Sequence, residues 1–297
     1  MINGAISFAN RFLSRRGLEL KLSSKRNYGI ALYEKTYGKE AVKKKAFYNI
    51  GAGNFFHPCW TNVDYFSDWY KNNTSYLDNG IHYDLFSLEP LPLEDNSAEL
   101  LYTSHTVEHI RNQEAENLFR EALRVLKPGG IFRLTMPDMD LHYNAYVKND
   151  YDFFYWREWY AAPEKYSKIF INRSLMETSI EQLFLYQVAS SVSEIHSDGV
   201  PQRIGDAEFR SLLDKHSMAE ALDICLKNAD VEIQKKYPGN HINWWNAEKA
   251  EKMLKEAGFS TVYKSGYGQS ASPVLRNTDF FDSTHPKMSL YIEAVKK

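Results

Sequence analysis

The stretch "FYNIGAGNFFHPCWTNVD", Phe47 to Asp64, constrains the fold more than any other. Phe47–Ile50 reads as a strand, broken at once by Gly51 and Gly53. A second strand follows at Thr61–Asp64 and ends on a carboxylate. "NGIHYDL" (Asn79–Leu85) reads as a third short strand, again ending on an acid, Asp84. "LLYTS" (Leu100–Ser104) and "IFRLTMPD" (Ile131–Asp138) read as the fourth and fifth. Between them, "EAENLFREALRVL" (Glu114–Leu126) carries apolar residues at 118, 119, 122, 123 and 126, a helical period. The "KPGG" that follows stops that helix, because proline cannot continue it and glycine permits the turn. Strands alternating with helices at this spacing predict an α/β fold with a doubly wound, mostly parallel sheet.

In an open sheet of this kind, ligands bind beyond the carboxyl ends of the strands. Gly51 and Gly53 sit there, where bare backbone lets a ligand approach closely. Asp64 can accept both hydroxyls of a ribose, and Asp84 lies within reach of an adenine amino group. Ala52 and Asn54 share the glycine loop, and Ser104 ends the fourth strand. Together they describe a pocket for an adenosine-containing cofactor. A lone G-x-G is common in turns, and this one is not a full G-x-G-x-x-G, since position 56 is Phe. Asp64 also follows Gly53 too soon for a dinucleotide fold, which places its acid about 20 residues on.

The series "NIGAGN … TNVD … YDLFSLEPLPLEDNSAELLYTSHTVEHI … EALRVLKPGGIFRLTMPD" resembles the class I S-adenosylmethionine-dependent methyltransferases. It is similar in particular to a bacterial branch associated with cell-surface polysaccharide synthesis. The likeness covers about residues 46–140, with a fainter echo in "LKEAGF" and "SLYIEAVK". It implies a seven-stranded Rossmann-like sheet whose last strand is antiparallel. It implies S-adenosylmethionine as cofactor, with Gly51 and Gly53 at its methionine portion, Asp64 at the ribose, and Asp84 with Leu85 at the adenine. Many of these enzymes carry an acid two residues before the first glycine, to hold the cofactor's ammonium. This chain has Asn49, whose amide oxygen can accept the same bond without charge assistance.

"SHTVEHI" contains H-x-x-E-H, a zinc-peptidase pattern when it lies on a helix. His105 and His109 would then share a helical face. Here the motif follows directly on a strand of the sheet, and Glu-His at this place is ordinary in the resembled family, so no metal is expected. His105, at the edge of the fourth strand, is the candidate general base, because imidazole titrates near neutrality. Asp138, after the fifth strand, is the candidate to orient His105 or to bind a sugar hydroxyl; otherwise it is a helix N-cap. His109 reads as a packed structural histidine.

Residues 139–240 break the strand–helix rhythm and are helical and aromatic-rich, as in "YDFFYWREWY". They read as a cap over the functional edge. Most of these aromatics are expected in a core. Tyr143, His196, His241, Trp244, Trp245 and His285 are candidates for a substrate wall. "NAEKAEKMLKEAGF" reads as a late helix with Asn246 as N-cap and Gly258 at its end, with strands near "STVYKS" and "MSLYIEAV". The expected organisation is a basic arm (1–45), a cofactor-binding half (46–140), a helical substrate cap (141–240), and the last helix and strands (241–297).

The net charge of -2 hides an asymmetry: residues 1–45 hold 11 Lys+Arg against 3 Asp+Glu. A basic arm on an acidic body suggests an anionic neighbour, a membrane surface or a phosphorylated substrate, or else a helix docked on its own domain. Residues 30–45 read as one basic helix ahead of the first strand. No apolar run reaches the ~18 residues that span a bilayer. Two distant cysteines, Cys59 and Cys225, fit a reducing compartment rather than a disulfide scaffold. The expectation is a cytoplasmic methyltransferase of a sugar hydroxyl. Its arm would lie in reach of the inner membrane face, its partners would be a small-molecule or glycan substrate, and no nucleic acid would be involved. A methyltransferase of another small molecule and a non-catalytic binding module are the alternatives.

Overall fold

In a computed structural model, which describes residues 27–65 and 80–297, seven strands form one sheet in the order β3-β2-β1-β4-β5-β7-β6. The strands are β1 (Phe47–Ile50), β2 (Thr61–Asp64), β3 (Gly80–His82), β4 (Ala98–Ser104), β5 (Leu126–Pro137), β6 (Thr261–Lys264) and β7 (Ser289–Val295). β7 runs antiparallel to both its neighbours, and the other pairings are parallel. The doubly wound sheet with an antiparallel last strand is therefore present.

The central strands are buried on both faces, and their side chains alternate between two cores. Phe47, Leu100, Tyr102 and Ile131 join one cluster, while Leu101, Phe132 and Leu134 join the other. This is the period-2 pleat of a strand covered on both sides. The helices Asn112–Val125 and Ala247–Glu256 cover the second face through residues such as Phe119, Leu118 and Leu254. Asn246 caps the later helix by accepting from the Lys249 N–H at 3.0 Å, as its sequence indicates.

Two elements differ from expectation. The basic segment 30–45 is two helices, Ile30–Tyr37 and Lys39–Lys43, because Gly38 adopts φ 84°, ψ 157° between them. This segment docks on the sheet: Tyr33 is buried against Phe47, and its hydroxyl accepts from Trp60 Nε1 at 2.7 Å. Residues 1–26 of the expected arm, with its membrane contact, lie outside the described residues. The "KPGG" segment does not follow the helix as a free turn. The helix ends at Val125, β5 already starts at Leu126, and the register shifts between Ala98 and Leu100. Gly129 there takes φ 80°, and its N–H donates to the Lys296 carbonyl.

Residues from Met139 to Trp244, with Met288, pack into a third cluster of their own, built on Phe154, Phe184, Leu185 and Phe209. It stands over the carboxyl ends of β4 and β5. The segment between β6 and β7 returns across the same end of the sheet.

Candidate active site

β1 lies between β2 and β4, so the chain leaves the sheet in opposite directions after β1 and β4. That divergence opens a crevice at the carboxyl ends of the strands. A cavity of about 720 Å³ fills it, within the usual range for a ligand of cofactor size. All nine expected cofactor contacts line it: Asn49, Gly51, Ala52, Gly53, Asn54, Asp64, Asp84, Leu85 and Ser104.

The glycine loop is built for close approach. Gly51 has φ 64°, and a Cβ there would lie 2.3 Å from Thr106 Cγ2. Gly53 has φ 51°, and its N–H donates to Asp64 Oδ2 at 2.9 Å. The other Asp64 oxygen accepts from the Tyr65 N–H at 2.7 Å. Asp64 thus holds the loop in shape as well as facing the cavity. Asp84 caps the single turn Leu85–Ser87, accepting from the Phe86 N–H at 2.9 Å. Asn49 is 3% exposed, and its side-chain oxygen has no hydrogen-bond partner among the described residues. A buried acceptor without a donor, on the wall of a cavity, is what a ligand ammonium satisfies.

His105 stands at the mouth of β4 with φ 52°, a left-handed backbone that turns its ring back over the sheet edge. Its Nδ1 lies 3.1 Å from Glu108 Oε1, and its Nε2 lies 2.8 Å from Ser289 Oγ. Burial alone would raise the Glu108 carboxyl. The surrounding His105, His109 and His241 outweigh it and hold the group down to about 2, so Glu108 is ionised. A second cavity, of about 190 Å³, opens behind His105. The two cavities share His105 and Gly239.

Other candidates fall elsewhere. Val107–His109 is a single 3-10 turn, so His105 and His109 share no helical face. The Asp138 carboxylate caps the helix Met139–Val147, accepting from the Asp140 N–H at 3.1 Å, and meets Lys264 Nζ at 3.3 Å. It lines neither cavity, and Glu108 with Ser289 takes the orienting place proposed for it. His241 and His285 do line the smaller cavity. Tyr143, His196, Trp244 and Trp245 do not. Tyr143 stacks on Tyr146, and His196 is buried against Asn240. Trp244 donates to Asp223 at 2.7 Å, and Trp245 lies in the sheet core beside Phe119. Side chains of this size in a helical cap gain more from core burial than from lining a wall.

Residues 57–134 match the family described as "Methyltransferase domain". The chain carries a methyltransferase domain. It is an S-adenosylmethionine-dependent methyltransferase, of class I by its sheet order. Among solved structures, the chain is similar to a SAM-dependent methyltransferase from Archaeoglobus fulgidus, at 12% identity and TM-score 0.38, over 91% of this chain and 100% of that one. A second is an S-adenosylmethionine-dependent methyltransferase from Mesorhizobium loti, at 12% identity and TM-score 0.36, over 84% and 90%. A third is the citrinin polyketide synthase CMeT domain, at 12% identity and TM-score 0.37; this methyltransferase matches it over 84% of its own length and spans 45% of that chain. No curated protein matches the chain.

The cavity of this methyltransferase fits its cofactor on three observations: the orphaned Asn49 oxygen, the side-chain-free approach at Gly51, and the acids ending β2 and leading out of β3. Several lining residues carry no sequence signal at their positions. Thr106 packs under Gly51, and Asp279, Phe280, Ser283 and Thr284 arrive from the segment between β6 and β7. Glu108 was visible in H-x-x-E-H, but only as a member of a zinc pattern.

Proposed function

We propose that this methyltransferase acts on a sugar hydroxyl, in a cell-surface glycan or its activated precursor. The observation that carries the reading is the second cavity, which meets the cofactor cavity at His105. Trp156, Tyr160, Tyr186 and Tyr237 offer it aromatic walls, and His241 and His285 offer it polar edges. Aromatic faces with a few polar groups suit the apolar face and hydroxyl rim of a sugar ring. The sequence likeness to a polysaccharide-associated branch points the same way, as an analogy.

Bound in the larger cavity, S-adenosylmethionine supplies an electrophilic methyl group. The chain's own work is then to position the acceptor and to receive its proton. His105 stands between the cavities with ionised Glu108 against Nδ1, which stabilises the imidazolium that forms. Its Nε2 takes the acceptor's proton by exchanging Ser289 Oγ for the acceptor hydroxyl.

The test is a transfer assay with methyl-labelled S-adenosylmethionine against nucleotide sugars and glycan extracts. Label should appear on a sugar oxygen. His105→Ala should lower kcat by about 10²–10⁴-fold, the usual contribution of a positioned base, while leaving cofactor affinity unchanged. Label found only on nitrogen or carbon acceptors would remove the sugar reading. Full activity in His105→Ala would remove the base.

A further inference from the structure

Glu108 is 1% exposed, and among the described residues no backbone, hydroxyl or amide group donates to its carboxylate. Asp282 and Glu293, equally buried, face the Arg133 guanidinium. Glu108 instead faces ring nitrogens: His105 Nδ1 at 3.1 Å and His109 Nε2 at 3.9 Å. His241 completes the group, its ring 4.9 Å from that of His109 and at 78° to it. One donor atom from each of Glu108, His109 and His241 lies within 4.8 Å of the others.

The tautomers of the two histidines follow from their second nitrogens. His109 Nδ1 lies 2.9 Å from the Asn240 carbonyl, and His241 Nδ1 lies 2.8 Å from the Gln187 carbonyl. A carbonyl only accepts, so both Nδ1 atoms carry protons and donate. In the neutral rings, each Nε2 then presents a lone pair. In the neutral rings, two lone pairs and a carboxylate oxygen therefore converge, with His105 Nδ1 against the same carboxylate. Such a set repels itself unless a cation joins it. Imidazoles that donate Nδ1–H to backbone carbonyls while offering Nε2 are the arrangement that orients metal-bound histidines.

We propose that Glu108, His109 and His241 bind one divalent ion of the zinc class. Two imidazole nitrogens and one carboxylate oxygen suit such an ion, and three protein ligands leave a coordination position open. Bonds of about 2.0–2.1 Å place tetrahedral donors roughly 3.4 Å apart, so small side-chain rotations close the site. His109 lines the cofactor cavity and His241 the smaller one, so the ion lies where the two meet.

The test uses the full chain, stripped with chelator, desalted and titrated with Zn²⁺ by calorimetry, with elemental analysis after a second desalting. The parent and the surface variant His216→Ala should each retain one zinc per chain. Glu108→Gln, which keeps the volume, and His241→Ala should lose more than about 100-fold in affinity, since loss of an outer partner alone costs about 10–100-fold. Zinc should raise the Tm of the parent and of neither site variant. A parent that binds no zinc at micromolar concentration leaves the cluster to a proton and overturns the proposal. Equal binding by Glu108→Gln overturns it too, and that variant decides the matter if His241→Ala fails to fold.

Discussion

A methyl group at position 51 has no room. Gly51 combines φ 64° with a neighbour, Thr106 Cγ2, that a Cβ would meet at 2.3 Å. Gly53 has a similar φ of 51°, but open space around it. The two glycines are therefore needed for different reasons. Gly53→Ala should cost about 1–2 kcal/mol, the strain of a left-handed alanine. Gly51→Ala should cost about 1–3 kcal/mol more through overpacking, and should distort the loop enough to abolish cofactor binding. Denaturant midpoints for the two variants check this, and equal midpoints would contradict it. At this scale the lining of the larger cavity was legible because the glycine loop and both acids follow strand ends, where position alone indicates the crevice. The partners of His105 were not. Ser289 lies 184 residues away in the chain, and no local pattern records such a contact. Asp138 shows the converse: an acid at the right edge of the sheet whose side chain is committed to a helix cap.

Arg133, in the middle of β5, ties three elements together. Its guanidinium donates to both oxygens of Asp282 and, across the antiparallel pair, to Glu293 on β7. It also donates to the carbonyls of Gly266 and Gln269, in the segment after β6. All three charged side chains are fully buried. Asp282 precedes Ser283 and Thr284 on the cavity wall, so the ion pairs fix that wall to the sheet. Arg133→Met should leave two buried carboxylates unpaired and destabilise the fold by about 3–5 kcal/mol, read from the urea midpoint. A loss below about 1 kcal/mol, the worth of a surface pair, would contradict this reading. Element by element, β1 and β2 keep the bounds that their sequence shows, because short apolar runs between glycine and an acid admit one assignment. The helix over 30–45 does not, because Gly38 interrupts an otherwise helical pattern with a conformation of its own. "YDFFYWREWY" forms a kinked 3-10 run with Phe154 and Trp156 buried in the cap, where tertiary packing overrides local periodicity.

Taken as a whole, the molecule is a cofactor sheet with a cap standing over its carboxyl edge. The sheet was legible because its elements recur in sequence with regular spacing. The cap was not, because its path depends on long-range contacts, such as His109 with Asn240 and Ile110 with Asn243, each spanning more than 130 residues. Among the described residues, no helix is long and apolar enough to cross a membrane. The central claim is that the larger cavity holds S-adenosylmethionine, with Asp64 at its ribose. Calorimetric titration of S-adenosylmethionine into the parent and into Asp64→Ala tests it most directly. The prediction is one molecule bound per chain in the parent, and binding weaker by about 2–4 kcal/mol in the variant, the worth of two charge-assisted hydrogen bonds. A folded parent that gives no binding heat, or a variant that binds as tightly as the parent, would contradict the account.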